Sequence, residues 1–214
     1  MGTTIGHVLK DIGNDYAVRS LSPNEQTRIG GVIIYAINKI EENRKKGMNI
    51  RQDDFFKERP GERSSAKEIT EGILLAAQRE YEEKKIRFYG NLLANLGFTP
   101  ISRAQANLCL KISQGLTYRQ LCLLATIGQH YRFELRENNY HEQNTMDPEV
   151  ASVLHEISEL EILNLITQGN AVLGLTDISP RKMRLEGRGV TLFHLMELSK
   201  MDDGELAEPI ALLR

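Results

Sequence analysis

The stretch Ser65–Leu96, SAKEITEGILLAAQREYEEKKIRFYGNLLANL, decides how this chain folds. It opens with Ser65-Ala66-Lys67-Glu68, a capping box whose hydroxyl and carboxylate satisfy the free N–H groups of a helix start. Ile69, Ile73, Ala77, Tyr81, Phe88, Leu92 and Leu96 follow at helical spacing and predict one buried stripe. Glu80 with Lys84, and Glu83 with Arg87, stand four residues apart in the order that supports a helix. The stretch therefore reads as a single long central helix from about Ala66 to Leu96, ~45 Å at ~1.5 Å per residue. Gly97 and Pro100 end it. Glu80, Glu82 and Glu83 do not all face one point and have basic neighbours, so they read as a solvated, salt-bridged face rather than as acid/base groups.

On the N-terminal side, Ser22-Pro23-Asn24-Glu25 is a second capping box, with proline at the first helical position. A helix is expected from there to about Lys46, with Ile29, Ile33, Ile37 and Ile40 on one face. The β-branched crowding at Val32–Ile37 also suits a strand. The box before it and the charged run Glu41–Lys46 after it decide for a helix. Ile5, Val8, Leu9 and Ile12 predict a short amphipathic helix weakened by Gly6 and Gly13, and Met48–Ser65 reads as a polar loop pinned by Phe55-Phe56.

On the C-terminal side, Ser102 with Gln105 opens a helix to about Gln114, and Thr117 with Gln120 one to about Tyr131. After a polar loop over Phe133–Met146, Asp147-Pro148 caps a helix carrying Val150, Val153, Leu154, Ile157 and Leu160, continuing to about Thr167. Ala171–Leu175 and Lys182–Leu185 read as a β-hairpin, followed by a helix over Val190–Lys200 and a tail ending in Ile210, Leu212 and Leu213. The expected fold is mainly α: a multi-helix domain with a long central helix and a small C-terminal β-hairpin. Residues 1–100 form an N-terminal helical region and 101–214 a C-terminal winged-helix-like region, or the two make one continuous domain.

With 41% hydrophobic and 26% charged residues, the chain has the balance of a soluble globular protein. No apolar run approaches the ~20 residues that span a bilayer. The start lacks the basic and apolar pattern of a signal peptide, and Gly6 stands where a myristoylation signal needs Ser or Thr. Cys109 and Cys122 lie in apolar helical patterns and read as buried thiols in a reducing compartment. The expected location is the cytoplasm.

The order helix, helix, hairpin, helix in the C-terminal part is that of a winged-helix domain, used either for binding DNA or only for packing. Charge separates the two. From Glu137 to Pro180 there is no Lys or Arg, while Glu137, Glu142, Asp147, Glu149, Glu156, Glu159, Glu161 and Asp177 are acidic. Affinity for a duplex comes largely from Lys and Arg against phosphates, so a recognition helix bearing Glu156, Glu159 and Glu161 would be repelled. Only the wing is basic, and Arg181, Lys182, Arg184 and Arg188 form the one candidate contact patch there.

No catalytic, cofactor or metal site is legible. His130 with Glu134, His141-Glu142 and His155-Glu156 lack the H-E-x-x-H spacing that turns two imidazoles to one point. There is no nucleophile elbow and no phosphate loop; Gly30-Gly31 reads as a helix-packing site, and Gly187-Arg188-Gly189 is too short to specify anything.

Tyr81-Glu82-Glu83-Lys84-Lys85, Leu92-Leu93-Ala94-Asn95-Leu96 and Leu116-Thr117-Tyr118-Arg119-Gln120-Leu121 resemble uncharacterised bacterial helical proteins, some of them similar to abortive-infection or phage-defence accessory proteins. The resemblance spans residues 65–200 and excludes the first sixty. It implies a link to bacterial defence and carries over no site residue.

These readings together give a non-enzymatic interaction or regulatory module that self-associates, with a dimer as the expected form. Leu74, Leu75, Ile86 and Leu93 make the expected long helix apolar on more than one side. The apolar end Pro209–Arg214 needs a dock, in its own subunit or on a second copy. The alternatives are a winged-helix regulator of nucleic acid and an enzyme whose site assembles from distant residues.

Overall fold

In the computed structural model, residues 5–17, 20–141, 145–169 and 174–214 are described. They are mainly helical, with nine α-helices and one two-stranded antiparallel sheet among the described residues. The chain divides into two compact units, Met1–Gly115 and Leu116–Arg214. The division falls after Gly115 rather than at residue 100, because the helix over 103–115 packs on the helix over 65–79.

The first unit contains α1 (Ile5–Ala17), α2 (Pro23–Lys45), α3 (Ser65–Arg79), α4 (Ile86–Leu96) and α5 (Arg103–Gly115). The capping box of α2 forms as its sequence predicts, with Glu25 reaching back to the Ser22 N–H at 2.8 Å. The start of α3 lies one residue earlier than its box suggested: Ser64, not Ser65, accepts the Lys67 N–H at 3.3 Å. Phe55 and Phe56 are buried edge to face and hold the loop 48–64 against the unit.

The expected long helix does not exist. It is broken at residues 80–85 into α3 and α4, with one 3-10 turn at Glu83–Lys85. Ile69 and Ile73 of α3 and Phe88, Leu92 and Leu96 of α4 are buried as the stripe predicts. Tyr81, in the break, is 82% exposed. α4 packs chiefly along α2, so closely that a Cβ on Gly90 would lie 2.4 Å from Tyr35 Cβ and 3.0 Å from the Val32 carbonyl oxygen. The buried face of α2, which packs on α4 and α3, carries Ile29, Val32, Ala36, Ile40 and Asn43, whereas Ile33 is half-buried and Ile37 exposed. The four isoleucines expected on one face are thus divided between two.

In the second unit the central helix is α6 (Tyr118–Gly128), capped by the Thr117–Gln120 box. Leu121, Cys122, Leu123, Leu124, Ala125, Thr126 and Ile127 are all buried, as befits a helix surrounded on every side. Around it lie α7 (Pro148–Ile162), α8 (Gly187–Leu195) and α9 (Asp203–Leu212). α7 ends at Ile162 instead of Thr167, and Ile166–Thr167 is the strand β1, paired with β2 (Arg184–Leu185) in the register Ile166 with Leu185 and Thr167 with Arg184. The first hairpin strand was expected at Ala171–Leu175. Residues 171–173 lie outside the described ones, and Leu175 begins a 3-10 turn. α8 seats on the end of β1 through Gly189, where a Cβ would fall 1.8 Å from the Leu165 carbonyl oxygen. The apolar tail continues α9 and docks in its own unit: Leu206, Ile210 and Leu213 are buried, and the Leu213 carbonyl accepts the Arg136 N–H at 2.8 Å.

Candidate functional site

The break between α3 and α4 is built on a buried carboxylate. Glu80 Oε1 accepts the backbone N–H groups of Tyr81 and Glu82, each at 3.1 Å. Glu80 Oε2 accepts Lys85 Nζ at 2.6 Å and the Tyr89 hydroxyl at 3.0 Å. The Tyr89 hydroxyl also lies 3.5 Å from the Ser113 carbonyl oxygen, which brings α5 into the cluster. Burial works to raise the Glu80 pKa, but the Lys85 ammonium, the Glu82 N–H and the Tyr89 hydroxyl outweigh it and hold the carboxyl below its ordinary value. Burial, reinforced by the Glu80 charge, pushes the Tyr89 phenol up, so it stays a donor. This corrects the reading of Glu80 as a solvated residue paired with Lys84.

Beside the cluster is an open cavity of about 410 Å³ lined by Gly72, Leu75, Ala76, Arg79, Tyr81 and Gln114 along with Glu80 and Tyr89. Both Glu80 oxygens are already engaged, which leaves no free base there. Two further cavities flank the loop 48–64, and several of their charges are paired: Arg63 with Glu71, Lys67 with Glu58 at 2.7 Å, and Lys57 with Asp54 at 2.6 Å. Among the described residues no group of three or more His, Cys, Asp or Glu side chains is placed to hold a metal.

The basic patch expected in the second unit is exposed at all four positions, Arg181, Lys182, Arg184 and Arg188. β2 carries Arg184, the 3-10 turn Pro180–Lys182 carries Arg181 and Lys182, and Arg188 stands in the first turn of α8. Two of the four are tied down. Arg181 pairs with Glu137 at 3.1 Å, and the Arg184 guanidinium donates to the Arg181 and Met183 carbonyls at 2.7 Å.

Several acidic side chains of α7 are engaged by α6, though Glu149 and Glu159 stay exposed. Arg119 binds Glu156 and Ser152 and lies 3.7 Å from Glu149, and Gln120 donates to Glu159 at 2.7 Å. Glu208 of α9 approaches Arg119 at 3.6 Å, so one guanidinium joins three helices. The Glu156 hydrogen bond leads the causes that raise the Arg119 pKa, which keeps the joint charged. His141 pairs with Asp177 at 2.6 Å, and His130 Nδ1 lies 3.1 Å from the Ile127 carbonyl oxygen; among the described residues neither belongs to a group of three metal-type side chains.

What the sequence did not single out is the outer side of α2. Ile34 is 59% and Ile37 44% exposed there, while the helix buries its opposite side against α4. The missed signal was the width of the apolar pattern: isoleucine at 29, 33, 34, 37 and 40 covers more of a helix than one neighbour can bury. No helix among the described residues is long and apolar enough to cross a membrane. No protein-family model matches this chain, and neither does any curated protein or solved structure.

Proposed function

We propose that this chain is a non-enzymatic interaction module that self-associates as a dimer and serves a regulatory role. The observation that carries the reading is the pair Ile34 and Ile37, large apolar side chains left in water on one face of α2 while the polar clusters of both units are engaged in internal pairs. Contiguous exposed apolar surface is a common mark of an interaction site. The two features that suggested self-association in the sequence do not support it, since the long helix is broken and the tail docks on its own unit. A link to bacterial defence belongs to the proposal through the resemblance alone. Light scattering over a concentration series tests it: the expected mass is twice the 24.3 kDa of the chain, and a monomer throughout overturns the reading.

A second reading, a winged-helix-type regulator that touches nucleic acid, is favoured by the exposure of Arg181, Lys182, Arg184 and Arg188 on one stretch of the second unit. α7 offers it no Lys or Arg, so contact would rest on the hairpin and the start of α8. Binding of this kind weakens with added salt and with Arg184→Glu, and a duplex complex indifferent to both rules the patch out.

A further inference from the structure

The cavity of about 410 Å³ beside the Glu80 cluster has the size of a small-molecule site and lies wholly within the first unit. Gly72 lines it where α3 meets α5, and a Cβ there would fall 2.7 Å from Leu110 Cδ2. Two of its polar groups are spent, since Glu80 is held by Lys85 and two backbone N–H groups, and the Tyr89 hydroxyl donates to Glu80. Three others are free. Arg79, Tyr81 and Gln114 line the cavity with exposed side chains that make no hydrogen bond or ion pair among the described residues. The carbonyls that end α3 do not occupy Arg79: Ala77 accepts the Glu80 N–H at 3.2 Å, and Gln78 accepts Arg28 Nη2 at 2.9 Å.

Charge and shape select the ligand. Arg79 and Glu80 are the charged residues of the lining, and Lys85 cancels Glu80, so the guanidinium is the charge left unmatched. Glu82 and Glu83 lie outside the lining. A planar guanidinium meets a carboxylate through two parallel N–H bonds, whereas a phosphate dianion calls for a second cation that this lining lacks. The remaining wall is apolar and partly aromatic: Leu75 is 36% and Tyr81 82% exposed, with Ala76 beside them in the lining. A flat ring gains by packing on an uncovered tyrosine face. We propose that this cavity binds a small aromatic carboxylate. Arg79 holds the carboxylate, Tyr81 and Leu75 flank the ring, and the Gln114 amide meets a polar group on the ring. The site stands apart from self-association and needs no second copy, because all of its lining comes from one unit.

Benzoate is the probe, titrated into the full chain and followed by proton–nitrogen correlation NMR. The signals of Gly72, Arg79, Tyr81 and the Gln114 side-chain amide should shift together, with a dissociation constant on the order of 1 mM for so small a ligand in an open site. Arg79→Gln should raise that constant by more than about tenfold, as loss of a charged hydrogen-bond partner does. Arg79→Lys, which keeps the charge but not the fork, should recover only part of the binding. Tyr81→Ala should weaken it by a smaller factor than Arg79→Gln. These positions are exposed, so the helical circular dichroism of each variant should match that of the unsubstituted protein. Benzyl alcohol has the ring without the charge and inorganic phosphate the charge without the ring, and each should bind more weakly than benzoate. Shifts confined to other parts of the chain, or none at all, overturn the site. Binding unchanged in Arg79→Gln, or benzyl alcohol as tight as benzoate, overturns the carboxylate. Phosphate as tight as benzoate overturns the aromatic ligand.

Discussion

Lys85 Nζ lies 2.6 Å from Glu80 Oε2, and only 3% and 6% of the two side chains are exposed. A buried pair of this kind is costly to break from one side, because the remaining charge is left without a partner. It stands where the sequence has the strongest helix pattern in the chain, and it is the reason that pattern yields two helices. Glu80 turns its Oε1 to the N–H groups of Tyr81 and Glu82, which commits the backbone to leave α3.

Lys85→Met alone should destabilise the fold by ~3–5 kcal/mol, as loss of one partner of a buried pair does. The double variant Glu80→Gln/Lys85→Met should cost less than the single one, since the glutamine oxygen can still accept both N–H groups and no charge stays buried. Urea denaturation of the two proteins gives the comparison. A double variant less stable than Lys85→Met would show that the two residues act separately.

Acid should weaken the first unit through the same carboxylate. The folded-state pKa of Glu80 lies below the ordinary 4.5, so its contribution is complete above that value and is lost as the pH falls through the lowered one. Glu25, held down to about 2, acts in the same direction over the window from 4.5 to about 2. Stability measured from pH 6 downward should therefore decline below about 4.5, less steeply in Glu80→Gln/Lys85→Met. Equal slopes in the two proteins would remove Glu80 from the acid response.

Leu92 and Tyr81 should respond oppositely to truncation, although the sequence sets them on one stripe. Leu92 is fully buried in α4, and Leu92→Ala should cost ~2–5 kcal/mol through lost burial and the cavity left behind. Tyr81→Ala should stay within ~0.5 kcal/mol, as changes on an open surface do. Thermal melts separate the two outcomes, and a large loss at Tyr81 would contradict the helix break.

Arg119 should matter to the second unit as a joint between helices. Arg119→Ala removes the partner of Glu156, whose other oxygen is already buried without a hydrogen bond. A loss of ~1–3 kcal/mol is expected, in line with leaving a buried acceptor unsatisfied. Arg184→Ala on the exposed hairpin is the control and should change stability by less than ~0.5 kcal/mol.

The helix starts were the most legible part of the fold. Ser22, Ser102, Thr117 and Asp147 cap where their side chains predict, because a cap is a local matter of one side chain and the next three N–H groups. The break at Glu80 was not legible, since every local cue there, charge spacing included, agrees with a continuous helix. What overrides those cues is the Tyr89 hydroxyl and the burial of Lys85, neither visible in a neighbourhood of four residues. The hairpin was displaced because strands of two residues are too short to show an alternating pattern. The four basic positions were legible by composition, while the exposure of Ile34 and Ile37 showed only in the width of the α2 apolar pattern, which does not say which isoleucine is left outside.

The interruption at Glu80 also bears on how the first unit opens. The hydrogen-bond ladder of α3 closes with the Glu80 N–H on Ala77, and the next turn starts afresh with the Lys85 N–H on Glu82. Fraying that begins in one helix therefore meets a break in the ladder before it reaches the other. α3 is held by α1, α2 and α5, and α4 chiefly by α2, so each has its own reason to stay closed. Amide protons of the two helices should exchange with solvent as separate cooperative groups, with the α4 group released last because α2 covers it along its length.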